Sequence, residues 1–308
     1  MTPTWTDLFG TEPVVIDGGL STQLARLGQD TSGLLWTGRV LLESPQAITR
    51  AHADFVAAGA DVVISASYQV SRRGFVSSGL TPQQADAALS ASTAAARRAT
   101  ADGHARVAAS VGPYGAILHD GSEYRGNYGL TRQQLVDFHR ERLDVLVASG
   151  PDLLAIETIP DAREAEALVE VLADHPELPA WMTFSAADGR HLCAGQEIDE
   201  AVAIAASAGS VIAVGINCTD PVFVTDLIGG AAAAGLPVVV YPNAGGDWDP
   251  VDGRWHGERS GGAEPGMAFA DRLVREWRAA GAAAIGGCCG TDARSISRIA
   301  ALLAGPAG

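Results

Sequence analysis

The sequence predicts an α/β fold of the (β/α)8 type, a TIM barrel, built as a single domain over residues 1–308. Three observations lead there. Short apolar runs alternate with longer helical stretches along the chain, and the runs number eight. One joining phrase also recurs between helix and strand, as AAGADVV, ASGPDLL, AAGLPVV and AAGAAAI. Eight strand–helix units in 308 residues match the size of a closed barrel. A doubly wound open sheet is the alternative, because periodicity alone does not show closure.

The strands expected in order are Val14–Gly19, Val62–Ser67, Arg106–Val111, Leu153–Thr158, Ala180–Ser185, Val211–Asn217, Val238–Asn243 and Ala283–Gly287. Each is mostly apolar rather than alternating, as strands covered on both faces are. The helices between them carry readable ends. Ser44-Pro45 and Thr81-Pro82 place a capping hydroxyl before a proline at the first helical position. Thr131 with Gln134 fits the capping box, and Asp161 with Glu164 approximates it. Gly59, Gly150, Gly235 and Gly281 each end a helix just before a strand. Two long Gly-rich loops, 112–130 and 244–266, follow the third and seventh strands, where barrel enzymes cover their substrates.

Composition narrows the function. The formal net charge of −15 opposes phosphate backbones and anionic lipid, so nucleic acid and membrane are poor partners. All 21 basic residues are Arg, which removes Schiff-base lysine chemistry and the lysine of a phosphate-binding P-loop. The N-terminus has neither a basic start nor an apolar segment of signal-peptide length, and no apolar run reaches the roughly 18 residues of a membrane span. A cytoplasmic location is expected, with the four cysteines reduced and available for metal or catalysis.

Polar residues close nearly every strand of this apolar set, where barrel chemistry gathers: Asp17, Ser65, Ser67, Tyr68, Ser110, Glu157, Thr158, Ser185, Asn217, Cys218, Asn243, Cys288 and Cys289. Helix capping accounts for Thr158, Thr219 and Thr291, but poorly for Glu157 and the cysteines. Cys218 ends the sixth strand, and Cys288-Cys289 follow the eighth after Gly286-Gly287, so three thiols can converge over the mouth. Three thiolates leave one position of a tetrahedral zinc open, as a catalytic site requires, and the glycines supply freedom to turn. A buried inert thiol at 218 and a vicinal disulfide at 288–289 are the competing readings. Cys193 lies off this pattern. Zinc activates a bound thiol as thiolate, so the substrate expected is a thiol, with Glu157 and Asp17 able to pair with an ammonium.

VIDGGLSTQL, SASYQVS, GPYGAILHDGSEYRGNYG, AIETIPDAREAEAL, WMTFSAADG, GINC, YPNAG and GGCCGT, in this order, resemble the homocysteine S-methyltransferases. The likeness runs from about Val14 to Arg298 and is nearest to the stand-alone branch using S-methylmethionine or S-adenosylmethionine. The resemblance implies a zinc cofactor on Cys218, Cys288 and Cys289, and contacts from Asp17, Ser67 and Glu157 to homocysteine. It also puts Asn243 where a relative lends a displaceable oxygen ligand. Small-molecule substrates, homocysteine and a sulfonium donor, are the implied partners, on a monomer or homodimer. No folate- or cobalamin-binding domain is expected beside the barrel, so a cobalamin-dependent methionine synthase is not the branch expected. Two departures weaken donor assignment: Ala244-Gly245-Gly246 replaces the usual Ser and acidic residue after Asn243, and Arg254-Trp255 replaces Lys-Trp.

Other readings share these residues. Selenocysteine or betaine could serve a methyltransferase on the same site, although the loop after the third strand disfavours betaine. A non-enzymatic zinc-binding barrel would need a filled fourth ligand and no carboxylates at the mouth. A phosphate cradle after the eighth strand is opposed by two cysteines and the lack of a basic residue in that turn. Tyr114, Tyr124, Tyr128, Trp248 and Trp255 are expected either to cover a cation or merely to pack their loops.

Overall fold

A computed structural model describes residues 8–10, 12–31, 35–101, 103, 105–245, 247–249, 254–256 and 268–305. For Trp36, 247–249 and 254–256 the backbone alone is described. In chain order the strands are β1 (Val14–Val15), β2 (Val62–Ile64), β3 (Arg106–Val111), β4 (Leu153–Ile159), β5 (Ala180–Phe184), β6 (Val211–Asn217), β7 (Val238–Tyr241), β8 (Asp247–Asp249), β9 (Arg254–His256) and β10 (Ala282–Ile285). Eight of them form one parallel sheet in the order β1-β10-β7-β6-β5-β4-β3-β2. A parallel bridge from Ile16 to Val62 and the bond from Asp17 N to Val62 O (3.0 Å) join β1 to β2, and the sheet closes into the expected (β/α)8 barrel. β8 and β9 pair separately as an antiparallel hairpin, where the sequence reading had only a loop.

Several strands stop short of their expected ends, each for a local reason. Pro242 has no N–H to continue the β7 ladder. Past Ile16 the side chain of Asp17 substitutes for the ladder, its Oδ2 accepting from Ile64 N at 2.9 Å. At the opposite end of the barrel the recurring joins do similar work. Asp61 Oδ2 accepts from Val15 N (2.9 Å) and Asp152 Oδ2 from Val107 N (2.7 Å), so each aspartate pins the preceding strand. The four joining glycines all have left-handed φ, from 69° at Gly235 to 103° at Gly281.

Helix ends agree only in part. Thr81 with Gln84 and Thr131 with Gln134 are full capping boxes, whereas Ser44 makes no side-chain cap bond. Asp161 caps its helix through Arg163 N, and Glu164 turns elsewhere.

Strand parity divides the core. Ile16, Val62, Ala108, Leu153, Ala155, Trp181, Ala213, Val239 and Ala284 face one another inside the barrel. Their neighbours, such as Val63, Leu154, Met182 and Val214, pack outward under the helices. Trp181 fills the centre, and the alanines opposite leave room for it. Following the inward parity toward the carboxyl ends leads from these apolar residues to Ser110, Glu157, Thr183, Asn217 and Tyr241. The site therefore rests on a filled barrel rather than over a pore.

Candidate active site

The floor of the mouth is a hydrogen-bonded polar layer. Asn217 on β6 donates from Nδ2 to Thr158 Oγ1 (2.8 Å), and its Oδ1 accepts from Thr158 N (2.7 Å) and Thr183 Oγ1 (2.8 Å). Tyr241 OH shares a hydrogen bond with Thr183 Oγ1 (2.8 Å), accepts from Trp181 Nε1 (3.1 Å) and also bonds Glu157. Gly215, one step below Asn217, leaves no space for a Cβ beside the Val239 backbone. The three hydroxyls read as helix caps are not caps. Thr158 lies within β4, Thr219 accepts from Ala186 N, and Thr291 precedes the actual cap Asp292.

Above the floor the three expected cysteines meet, with their sulfurs all within 4.8 Å of one another. Cys218 Sγ lies 2.8 Å from Cys288 Sγ and 3.8 Å from Cys289 Sγ. All four cysteines are free thiols, so no vicinal disulfide forms, and Cys193 stands apart against Ser185. Cys218 is held at φ 49° and Thr158 at φ 61°, left-handed angles that cost a non-glycine residue about 1–3 kcal/mol each. That conformation turns the Cys218 thiol off the strand end, and Cys218 N donates to Tyr241 O (3.2 Å).

Cys288 and Cys289 are positioned by the join between the first and last strands. Gly19 N donates to Thr291 O (2.9 Å), Gly287 N to Asp17 O (3.1 Å) and Cys288 N to Pro242 O (2.7 Å). A side chain on Gly19 would collide with the Cys288 carbonyl, and a Cβ on Gly286 would sit 2.7 Å from that of Ile16. Of the glycines in this turn, Gly290 has left-handed φ (81°), while Gly286 and Gly287 serve close approach rather than freedom to turn. Hydrogen bonding to Cys218 and Cys289, then burial, raises Cys288 well above the usual thiol range. Ionising all three thiols together calls for a cation among them.

Two carboxylates share the cleft. Glu157 continues the inward row of Leu153 and Ala155, is 7% exposed, and accepts a hydrogen bond from Ser110 Oγ. Burial pushes it up to about 7, against the pull of Ser110 and Tyr241. Asp17 is 1% exposed, and burial raises it well above the usual carboxylate range. Both line the same cleft as the three cysteines. No Arg, Lys or His is among the described residues that line it.

The loop after β3 forms one wall. Tyr124 reaches the cleft and brings its OH to 3.4 Å from Cys218 Sγ. Tyr114 and Tyr128 instead pack on each other and on the next helix, with rings 5.3 Å apart. Glu164 anchors them. Its Oε1 accepts from Tyr114 N (2.6 Å) and meets His139 Nε2 (2.8 Å), and its Oε2 accepts from Tyr128 OH (3.0 Å). Asp161 Oδ2 accepts from Asn127 N (3.1 Å), so two acids of one helix turn hold the loop. Buried Arg142 donates to the carbonyls of Tyr68 (2.9 Å) and Gly112 (2.8 Å), tying the ends of β2 and β3 together.

The other expected residues fall differently. Ser67 is fully buried below the cleft, donating to Ser110 O (2.7 Å) and bonded to Ser65 Oγ (2.8 Å), whereas Ser21, Ser65 and Ser110 line it. Asn243 is buried with its Oδ1 accepting from Gly245 N (2.8 Å). The side chains of Trp248 and Trp255, the Arg254-Trp255 and Gly246 departures, and most of loop 244–266 lie outside the described residues. Sequence reasoning missed Tyr241, whose signal was one aromatic hydroxyl in the β-branched run VVVY, and the loop anchor Glu164, which read as part of a cap.

Three thiols and two carboxylates at the carboxyl end of a parallel barrel define an α/β-barrel enzyme with a thiol site able to hold a metal. Residues 14–303 match the family model described as homocysteine S-methyltransferase. The chain belongs to that family, and it is an enzyme of methyl transfer. It is 40% identical to Homocysteine S-methyltransferase 1 of Zea mays, over 96% of this chain and 95% of that one. It is 39% identical to the Selenocysteine Se-methyltransferase of Brassica oleracea var. italica, over 92% and 87%. The homocysteine methyltransferase MmuM from Escherichia coli, in its metallated form, superposes with a TM-score of 0.85 at 36% identity, covering 96% of this chain and 98% of that one.

Proposed function

We propose that this enzyme transfers a methyl group from a sulfonium donor, S-methylmethionine or S-adenosylmethionine, to the thiol of L-homocysteine, giving methionine, with one zinc ion as cofactor. The observation that carries this reading is the gathering of Cys218, Cys288 and Cys289 within 4.8 Å in a cleft that also holds Glu157 and Asp17. The donor set fits zinc, because it consists of soft thiols and leaves a position for a substrate. When bound there, zinc would lower the pKa of the acceptor thiol and keep it as thiolate at neutral pH. Glu157 and Asp17 would pair with the substrate ammonium, while Ser65 and Ser110 fix the lower wall. Tyr124 would cover the reacting sulfur and limit its access to water.

A direct displacement suits this lining. The acceptor sulfur forms the new bond to the methyl carbon as the donor's S–CH3 bond breaks, and the electron pair returns to the donor sulfur. A thiolate and a sulfonium thus become two neutral thioethers, so proximity and orientation supply much of the rate. With carboxylates and no basic side chain among the described lining residues, the cleft favours a cationic donor over an anionic one. The reduced thiols suit a cytoplasmic setting. The experiment measures metal content and methionine formation with S-methylmethionine, S-adenosylmethionine and betaine side by side. About one zinc per chain is expected, lost with activity in each single Cys→Ala variant of the three. Full activity without metal, or a preference for betaine, overturns the reading. A methyl group of defined chirality should arrive inverted; net retention would reveal a covalent relay.

A further inference from the structure

Glu123 is a buried carboxylate for which this mechanism has no task. It lies in the turn Ser122–Tyr124 of the loop after β3 and is 4% exposed, with Oε2 buried and without a hydrogen-bond partner. Its neighbours are committed elsewhere. Arg125 turns outward, donating to Ser122 Oγ (2.8 Å) and pairing with Asp120 (3.5 Å), and Ser122 bonds Asp120 as well. The position is firmly held, since Gly115 packs so closely on the Glu123 backbone that a Cβ would not fit. Asp161 and Glu164 anchor the rest of the loop.

This carboxylate adjoins the cleft. The next residue, Tyr124, touches Cys218 Sγ at 3.4 Å. Glu123 is close enough for its charge to act on Tyr68, and for that of Cys218 to act on it, and both of those residues line the cleft. Burying a carboxylate oxygen with no donor disfavours its charged form, and a cation placed beside it would relieve that cost. Glu157, on β4, and Asp17, two residues past β1, would already be taken by the acceptor's ammonium. The remaining positive charge in the reaction belongs to the methyl donor.

We propose that Glu123 is the counter-charge for the methyl donor and thereby selects a cationic one. The proposal rests on the functional reading above. It is tested by calorimetric binding to the zinc-loaded enzyme of S-methylmethionine and of its neutral carbon isostere, in which CH replaces the sulfonium sulfur. Wild type should prefer the sulfonium by about 10- to 100-fold, the lower end of what a close buried charge pair contributes. Glu123→Gln should lose most of that preference with unchanged affinity for the isostere, unchanged homocysteine KM and unchanged zinc content. Glu123→Asp should retain a preference. A wild type indifferent to the charge overturns the proposal whether or not the variants fold. So does a Glu123→Gln enzyme that keeps the preference, or one whose homocysteine KM rises as much as its donor KM. If the wild type makes no methionine from either S-methylmethionine or S-adenosylmethionine, the functional reading fails instead; full turnover with an unchanged donor KM in Glu123→Gln removes this inference alone.

Discussion

Glu157 shows how much one buried side chain can decide. It points inward because its strand alternates, and it touches Ser110 and Tyr241 rather than a cation. Glu157→Gln should therefore leave the fold and the metal intact while weakening homocysteine binding by about 1.5–3 kcal/mol, read by calorimetry on the metal-loaded enzyme. His52 makes the opposite case, remote from the chemistry. It is fully buried with neither ring nitrogen bonded, and burial lowers it from 6.5 to about 4. The unfolded chain thus binds the extra proton first. Its contribution is complete above pH 6.5 and drains away as pH falls toward 4, amounting to about 3 kcal/mol. Urea unfolding of wild type and His52→Leu between pH 7 and 4 should show the variant losing less stability by roughly that amount.

At the scale of elements, the loop after β3 is held from outside by the first turn of the helix after β4. Glu164→Gln would offer a donor where His139 and Tyr128 both need an acceptor, and should cost about 1–3 kcal/mol in urea unfolding. Because that loop carries Tyr124, the donor KM should rise more than the homocysteine KM. Such a role was not legible in the sequence. Glu164 stands three residues after Asp161, where a capping box would put it, and only the fold shows that Tyr114 lies beside it. The strands were legible because burial on both faces leaves runs such as VIAVGIN with little else to be. Their ends were not, since Ser65 or Asn243 can extend a strand, cap a helix or line a cleft with equal ease. The thiols were readable because three of them follow strands that flank β7. Ser67 and Ser65 differ only in which way the turn after β2 directs each, and no local pattern records that.

The whole molecule sets how metal and stability relate. The thiols sit above a barrel already filled by Trp181 and its surrounding aliphatic residues, so the core does not depend on them. A chelator should abolish methyl transfer while the far-UV circular dichroism keeps its helical form. The unfolding free energy should fall only by the binding contribution, about 3 kcal/mol if free metal had stood at 100 times its dissociation constant. Among the described residues no helix is long and apolar enough to cross a membrane.

The join of the first and last strands, where Gly19 abuts Cys288, has a consequence for biosynthesis. During translation Cys218 leaves the ribosome 70 residues ahead of Cys288, a wait of roughly 4–14 s at ordinary elongation rates. Throughout it, Asp17 and the two glycines beside it lack the turn against which they will close. The three-thiol site is accordingly complete only once Cys288 and Cys289 have emerged, and nascent chains stalled short of Gly287 should retain no metal when isolated with their ribosomes.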